Sequence, residues 1–304
     1  NDLADRFERE HLPRKRPGTQ AEYRRLLRIQ ILPALGSKRV TELRHADVAA
    51  MHQTITAKAP YRANRAVAVL SKMMNLAITW ELRGDNPCRG IERAPEEKRE
   101  RYLTPAELAR LSAVLATHPE RTSANAVRLL LLTGARKGET LAARWQDFDL
   151  DAGVWSKPAA TTKTAKLHRV PLSAPARTLL AEMTAEAGEE LRKARKLHPK
   201  AEPCPYLFPS DGGKPLGDVK NFWRGACRKA GISGARVHDL RHTYASVLAS
   251  SGLSLPIIGA LLGHTQAATT HRYAHLMDDP LRAATERAGA VITAGGKPGA
   301  EVVQ

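Results

Sequence analysis

The feature that most restricts the fold is a charged, aperiodic stretch between two regions of helical periodicity. Residues 93–103, RAPEEKRERYL, carry seven charges and lack the apolar spacing of a helix or strand. Before them, apolar residues recur at helical spacing, as in ANRAVAVLSKMMNLAITWEL. After them, Thr104, Pro105 and Glu107 form the capping box of a new helix. The sequence predicts a helical domain over 1–92, a linker, and a second domain, in keeping with a chain of 304 residues.

The second domain, residues 104–278, is expected to mix helices with short strands. The pattern predicts an apolar helix over SANAVRLLLLTGA that ends at Gly134, and another helix over HDLRHTYASVLASSG. Between them, VWSKPAATTKTAKLHRVPL favours antiparallel strands joined by a turn near Lys163. Residues 279–304 are expected to form a C-terminal helix with an apolar stripe and a disordered tail. The predicted fold class is mainly α with a small antiparallel β-sheet.

The chain is strongly basic, with a formal net charge of +17 and a pI of about 10.1. A globular chain with this charge is suited to a polyanion, DNA or RNA, although a solvated basic surface is the alternative. Basic residues recur along the last helical pattern of the first domain at Arg62, Arg65, Lys72 and Arg83. They are interpreted either as a weak DNA-binding face or as an ordinary solvated face.

The three cysteines lie far apart and form no C-x-x-C pair, so neither a zinc knuckle nor a disulfide framework is indicated. The sequence contains no long apolar run and no signal peptide. We therefore expect a cytoplasmic protein that does not enter a membrane. The chain opens with Asn1 and not with Met, which indicates that residues precede it or that a tag was removed.

Several chemically active residues follow helix ends or share a helix face. His238 and Arg241 lie three residues apart on one predicted helix face. His264 follows a predicted helix end, and Tyr273 comes nine residues later in GHTQAATTHRYAHL. Arg136 follows TGA, again at a helix end. This placement is expected to gather these polar groups at the edge of the second domain's apolar core, without burying charge inside that core.

These residue types suit attack on a phosphodiester. Two guanidiniums can each hold the phosphate oxygens through a planar fork. Surrounding positive charge would favour the phenolate of Tyr273, and histidines can move protons. Lys163, with Lys166 as its rival, could protonate the leaving oxygen. The pattern calls for no metal and no cofactor.

At these residues the chain resembles the tyrosine recombinase family, the phage integrases and their Xer-type relatives. The matching segments are LLLLTGARKGETLAARWQDFDL, TKTAKLHRVPL, HDLRHTYAS and LLGHTQAATTHRYAHL, in that order. The resemblance covers residues 104–277, and residues 1–92 resemble the family's core-binding domain. It implies a two-domain DNA clamp that cleaves and rejoins DNA through a 3′-phosphotyrosyl intermediate, without metal or ATP.

The resemblance also implies a role for each matching residue. Tyr273 would be the nucleophile, and Arg136 and Arg241 would clamp the scissile phosphate. Lys163 would be the general acid. His238 would take part in proton transfer around the tyrosine, and His264 would form a hydrogen bond to the phosphate. Glu139 would occupy an acidic supporting position.

The neighbouring residues receive structural interpretations. Leu240, Tyr244, Val247 and Leu248 are expected to face the core. His242 is interpreted as a local hydrogen-bonding residue, and His168 as an exposed strand position. His271 and His275 are expected at the surface.

The expected function is site-specific recombination by an integrase of a phage or other mobile element. The expected partner is double-stranded DNA, with monomers in solution assembling into a homotetramer on two sites. The family resemblance favours docking of the C-terminal helix on a neighbouring subunit and indicates that relatives often carry a further N-terminal arm-binding domain. The alternatives are a type IB-like topoisomerase, a non-enzymatic DNA-binding protein on the same scaffold, and a metal-dependent nuclease.

Overall fold

The computed structural model describes residues 1–96, 100–159 and 166–294. The chain divides into two compact units, Asn1–Arg99 and Glu100–Gln304. Each unit has its own apolar core. The predicted fold class is confirmed, because helices dominate the described residues and the strands form one small antiparallel sheet.

The first unit is helical. Its apolar faces meet in a core that includes Phe7, Leu12, Val48 and Leu70. A π-helical turn, Leu27–Ile31, joins the second helix to the third. The helices are α1 (Asp2–Glu10), α2 (Pro17–Leu26), α3 (Leu32–Leu35), α4 (His45–Thr56) and α5 (Pro60–Thr79).

Arg83 differs from the basic residues with which the sequence pattern grouped it. Its side chain is only 6% exposed. Its Nη1 donates to the carbonyl of Val40 at 2.7 Å and to that of Leu43 at 3.3 Å. Arg83 therefore anchors a loop of this unit, whereas Arg62, Arg65 and Lys72 are exposed.

The second unit begins with the predicted capping box. Thr104 Oγ1 accepts from the backbone N–H of Glu107 at 3.2 Å, and Glu107 Oε2 accepts from the N–H of Thr104 at 2.9 Å. The helix that follows packs against a second one, whose Val127, Leu129 and Leu130 are buried. The helices before the sheet are α6 (Pro105–Ala116), α7 (Arg121–Thr133) and α8 (Lys137–Leu141).

The sheet has three strands in the order β1-β2-β3, with both pairings antiparallel. They are β1 (Phe148–Asp149), β2 (Val154–Lys157) and β3 (His168–Pro171). Trp155 lies opposite Val170 in the register, and both are buried against the core. The predicted pair of strands is confirmed and β1 is an addition. The predicted turn at Lys163 lies outside the described residues.

Helices make up most of the remaining chain. They are α9 (Ala174–Leu197), α10 (Lys220–Lys229), α11 (Asp239–Ser250), α12 (Leu255–Leu262), α13 (Ala267–His271) and α14 (Asp278–Ala294). Leu240 is buried as predicted, but Val247 is 50% exposed. Ala245 and Ala249 take the buried positions at that end of α11. Within the described ranges, no helix is both long and apolar enough to cross a lipid bilayer.

Candidate active site

Two helices that stop at glycines organise the site. Gly134 follows α7 with φ of 59°, and Gly263 follows α12 with φ of 68°. Glycine adopts this left-handed conformation at little cost. A side chain on Gly134 would also meet Leu262 at 2.9 Å. The two helix ends are therefore packed closely together, and both carry backbone carbonyls that need donors.

Arg241 supplies those donors from α11. Its side chain is buried, and its Nη1 and Nη2 donate to the carbonyls of Gly134 and Leu262, each at 2.7 Å. Burial, and then the charge of Arg136, lowers the pKa of Arg241 to about 10. The guanidinium is therefore still protonated at neutral pH. The guanidinium bridges the C-terminal ends of α7 and α12, which carry the negative ends of the helix dipoles.

Arg136 approaches the same place from the start of α8. Its Nη1 donates to Glu139 Oε1 at 2.7 Å, and its Nη2 donates to the carbonyl of Gly263 at 3.4 Å. Its side chain is 26% exposed. The two arginines thus bond to adjacent carbonyls, those of Leu262 and Gly263. Two predicted phosphate ligands are brought together, and one of them is open to solvent.

His264 follows directly in the chain. Its Nδ1 lies 2.8 Å from Thr270 Oγ1, and Thr270 is buried at the end of α13. Burial, followed by the charge of Arg241, lowers the pKa of His264 to about 4, so the ring is neutral at neutral pH. A side chain on Gly263 would meet His168, whose Nε2 donates to the carbonyl of Ala260 at 2.8 Å. His168 is therefore partly buried and braces this turn, which corrects its interpretation as an exposed strand residue.

Tyr273 lies between α13 and a 3-10 turn, Ala274–Met277. It is 5% exposed and packs in an apolar cluster with Ala245 and Ile258. Burial raises the pKa of Tyr273, while Arg272 and Arg241 oppose that rise. Nearby positive charge favours the phenolate, as expected, but the loss of hydration on burial outweighs that attraction, so the net effect raises the pKa.

His242 contacts the hydroxyl of Tyr273, a contact that the sequence pattern did not predict. Its Nδ1 lies 2.6 Å from Tyr273 Oη, although the two residues are 31 positions apart. Its hydrogen bond is therefore not local. The His238 ring stands edge-on to it with centroids 5.0 Å apart. A second histidine one turn after His238 in HDLRH was the available signal.

The sequence pattern also did not single out Lys157, which lies at the end of β2. Its Nζ lies 3.2 Å from Glu139 Oε2, so Glu139 contacts both Lys157 and Arg136. Lys163 lies outside the described residues, and its rival Lys166 is exposed. The surface positions predicted for His271 and His275 are confirmed.

The first unit carries an exposed basic face of its own. Arg62 and Arg65 are one turn apart on α5, and Lys72 lies two turns farther along. All three side chains are exposed. Among the residues that the structure describes, no group of His, Cys, Asp and Glu has an arrangement that could hold a metal ion.

Two family models together match most of the chain. The Phage integrase family matches residues 101–279, and the Phage integrase central domain matches residues 1–94. The integrase of Mycobacterium phage L5 is 28% identical over 265 residues, covering 84% of this chain and 70% of that protein. A shufflon-specific DNA recombinase of Escherichia coli is 32% identical over 215 residues, covering 69% of this chain and 50% of its own length.

Solved structures share the fold. The Tn1549 transposon integrase in complex with circular intermediate DNA has a TM-score of 0.72 at 19% identity, covering 93% of this chain and 97% of that one. A lambda integrase dimer bound to a COC′ core site has a TM-score of 0.71 at 21% identity, covering 91% and 95%. The matches therefore extend over both units.

Proposed function

This chain belongs to the phage integrase family, and from that premise we propose that Tyr273 is the nucleophile with which it breaks and rejoins DNA. Its function is site-specific DNA recombination, carried out by a tyrosine-type enzyme. The observation that best supports the residue assignment is the meeting of Arg136 and Arg241 at adjacent carbonyls, with His264 next in the chain.

The proposed reaction exchanges one ester bond for another. Tyr273 Oη attacks the phosphorus, the bond from phosphorus to the 5′-oxygen breaks, and a 3′-phosphotyrosyl link forms. The phenol loses one proton and the leaving 5′-oxygen gains one. Attack by a 5′-hydroxyl reverses the steps, so that religation needs no ATP.

Arg136 and Arg241 are proposed to bind the non-bridging oxygens, whose negative charge grows during attack. Their present partners are neutral carbonyls and Glu139, which a phosphate could replace in part. His264 would add a hydrogen bond to the phosphate, and His238 would take part in proton transfer around the tyrosine. Glu139 would hold Arg136 in place.

Lys163 is proposed as the general acid for the leaving oxygen, with Lys166 as the alternative. Lys157 is unsuited to that role, because its side chain is only 1% exposed and is paired with Glu139. The proton donor must therefore come from elsewhere, and the segment between β2 and β3 supplies both candidates.

The proposed partner is double-stranded DNA, with Arg62, Arg65 and Lys72 contacting its phosphates. Monomers in solution would assemble into a tetramer on two sites in the cytoplasm. A lambda integrase tetramer bound to a Holliday junction, with a TM-score of 0.68 and 20% identity, supports this assembly by analogy.

A pool of nicked duplexes with a randomised centre tests this function. DNA that stays attached to the protein in SDS is sequenced, which identifies the preferred cleavage site. Tyr273→Phe should form no adduct, and the wild-type adduct should form in excess EDTA. An adduct with Tyr273→Phe contradicts the assigned nucleophile, and loss in EDTA that zinc restores favours a nuclease.

Two further results of the same experiment would favour the other alternative functions. Cleavage without sequence preference, together with relaxation of supercoiled plasmid, would favour a topoisomerase. Binding of the duplex pool without any adduct, even with intact Tyr273, would favour a non-enzymatic DNA-binding protein.

A further inference from the structure

The hydroxyl of the proposed nucleophile has a specific partner. His242 reaches Tyr273 from α11, across the apolar cluster that buries the tyrosine ring, with Nδ1 2.6 Å from Oη. In the tautomer whose proton is on Nε2, Nδ1 accepts the hydrogen bond that the phenol donates. The atom that must lose a proton on attack thus already shares it with an imidazole nitrogen.

We propose that His242 is the general base that removes the proton from Tyr273 during DNA cleavage. This inference rests on the proposed function of Tyr273. As the bond from Oη to phosphorus forms, the proton passes to Nδ1 of His242 and the bond to the 5′-oxygen breaks. That oxygen takes a proton from the general acid. During religation His242 returns the proton to Oη, and the attacking 5′-hydroxyl gives its proton to the conjugate base of the acid.

The burial of Tyr273 explains why a base is needed. The side chain is 5% exposed, and burial raises the pKa of its phenol despite the opposing charges of Arg272 and Arg241. Free phenolate is therefore scarce at neutral pH. A base that accepts the proton as the new bond forms avoids that scarce species.

His242 is in the protonation state that a base requires. Burial, followed by Arg272 and His238, lowers its pKa to about 4, so the ring is neutral at neutral pH. The other charged groups that act on it are Asp239, which raises the pKa, and Arg241, which lowers it. A DNA phosphate beside Arg241 would offset the positive charge and make the ring more basic at the moment of attack.

His238 takes a supporting place in this arrangement. It is exposed at the start of α11, and its ring contacts the His242 ring edge-on. It can therefore stabilise the protonated His242 or bind the phosphate. Removal of His238 should consequently slow cleavage less than removal of His242, because Nδ1 of His242 remains in place to accept the proton.

The test is the single-turnover cleavage rate between pH 6 and 10 on the nicked duplex selected by the wild-type protein. His242→Asn places a non-basic amide near the position of Nδ1 and retains a hydrogen bond to Tyr273. We expect it to be slower by about 10²- to 10⁴-fold at pH 7. The deficit should shrink as pH rises, because solvent hydroxide then removes the proton. His271→Asn, a matched control at an exposed position, should keep the wild-type rate across this pH range.

A second measurement separates proton removal from folding. Replacing Tyr273 by 3,5-difluorotyrosine makes the phenol more acidic without changing its position. In the His242→Asn background this replacement should restore much of the rate at pH 7. Failure of the rescue, a pH-independent deficit, or a rate within threefold of wild type would each overturn the role of His242. The wild-type protein forms its adduct on the same duplex, so these three outcomes would leave the proposed function of Tyr273 intact. An adduct formed by Tyr273→Phe would instead contradict that function.

Discussion

Lys157 Nζ lies 3.2 Å from Glu139 Oε2 in a pair whose side chains are 1% and 3% exposed. Burial lowers the pKa of Lys157 to about 8, although Glu139 opposes the effect. Burial pushes the pKa of Glu139 upward, but Lys157 and Arg136 hold it below its ordinary value. At neutral pH the pair is charged. It fixes the carboxylate that binds Arg136, which links the end of β2 to the proposed phosphate clamp.

Lys157→Met should therefore destabilise the protein and slow cleavage. It leaves Glu139 buried with Arg136 as its remaining charged partner, and breaking a buried pair in this way costs about 3 kcal/mol. Lys137→Met is the matched control, because Lys137 forms an exposed pair with Asp218 that is worth less than about 1 kcal/mol. Urea unfolding measures both. Equal stability of the two variants would mean that the buried pair contributes little.

Acid should destabilise the protein through His242 and His264. Burial is the main cause that lowers the pKa of each to about 4, from an ordinary 6.5. Between these values the unfolded chain binds more protons than the folded chain, so stability falls as the pH drops from 6.5 to 4. Because both rings are partly exposed, we expect about 1–2 kcal/mol from each.

Urea unfolding at pH 6.5 and at pH 4.5 measures this loss. The comparison is between wild type and the double variant His242→Asn/His264→Asn, in which neither side chain titrates. The double variant should lose less stability on acidification. An equal loss in both proteins would show that other groups account for the acid sensitivity.

Protonation of the leaving oxygen should depend on Lys163. Lys163→Ala should slow cleavage by about 10²- to 10⁴-fold. A 5′-bridging phosphorothioate should restore much of that rate, because sulfur leaves without needing a proton. Lys166→Ala is the matched control on both substrates. Rescue of the Lys166 variant alone would transfer the role of the acid to Lys166.

α14 should contribute to assembly and not to the fold of the second unit. Leu281, Val291 and Ile292 are 58%, 64% and 77% exposed, so the apolar stripe predicted from the sequence is largely uncovered in the single chain. Ending the chain at Met277 should leave the melting temperature and single-site DNA binding near wild type. Cooperative binding to paired sites, measured by gel shift, should weaken. Unchanged cooperativity would rule out docking on a neighbouring subunit.

Local sequence signals predicted much of the fold. The capping box at Thr104 and the end of α7 at Gly134 both depend on residues within one turn of each other. The order of the motif segments identified the family, and the proposed nucleophile and both arginines were found from it. Helix periodicity was less reliable for single positions, since Val247 is exposed where the pattern predicted burial.

The sequence by itself determined the helical periodicity, the helix boundaries and the residue types available for phosphodiester chemistry, because these depend on near neighbours in the chain. Only the tertiary structure decided which groups touch. His242 meets Tyr273 from 31 residues away, and Arg136 meets Gly263 from 127 residues away. Tertiary packing also decided that burial outweighs charge at the phenol of Tyr273, because hydration is lost only when distant elements close around it.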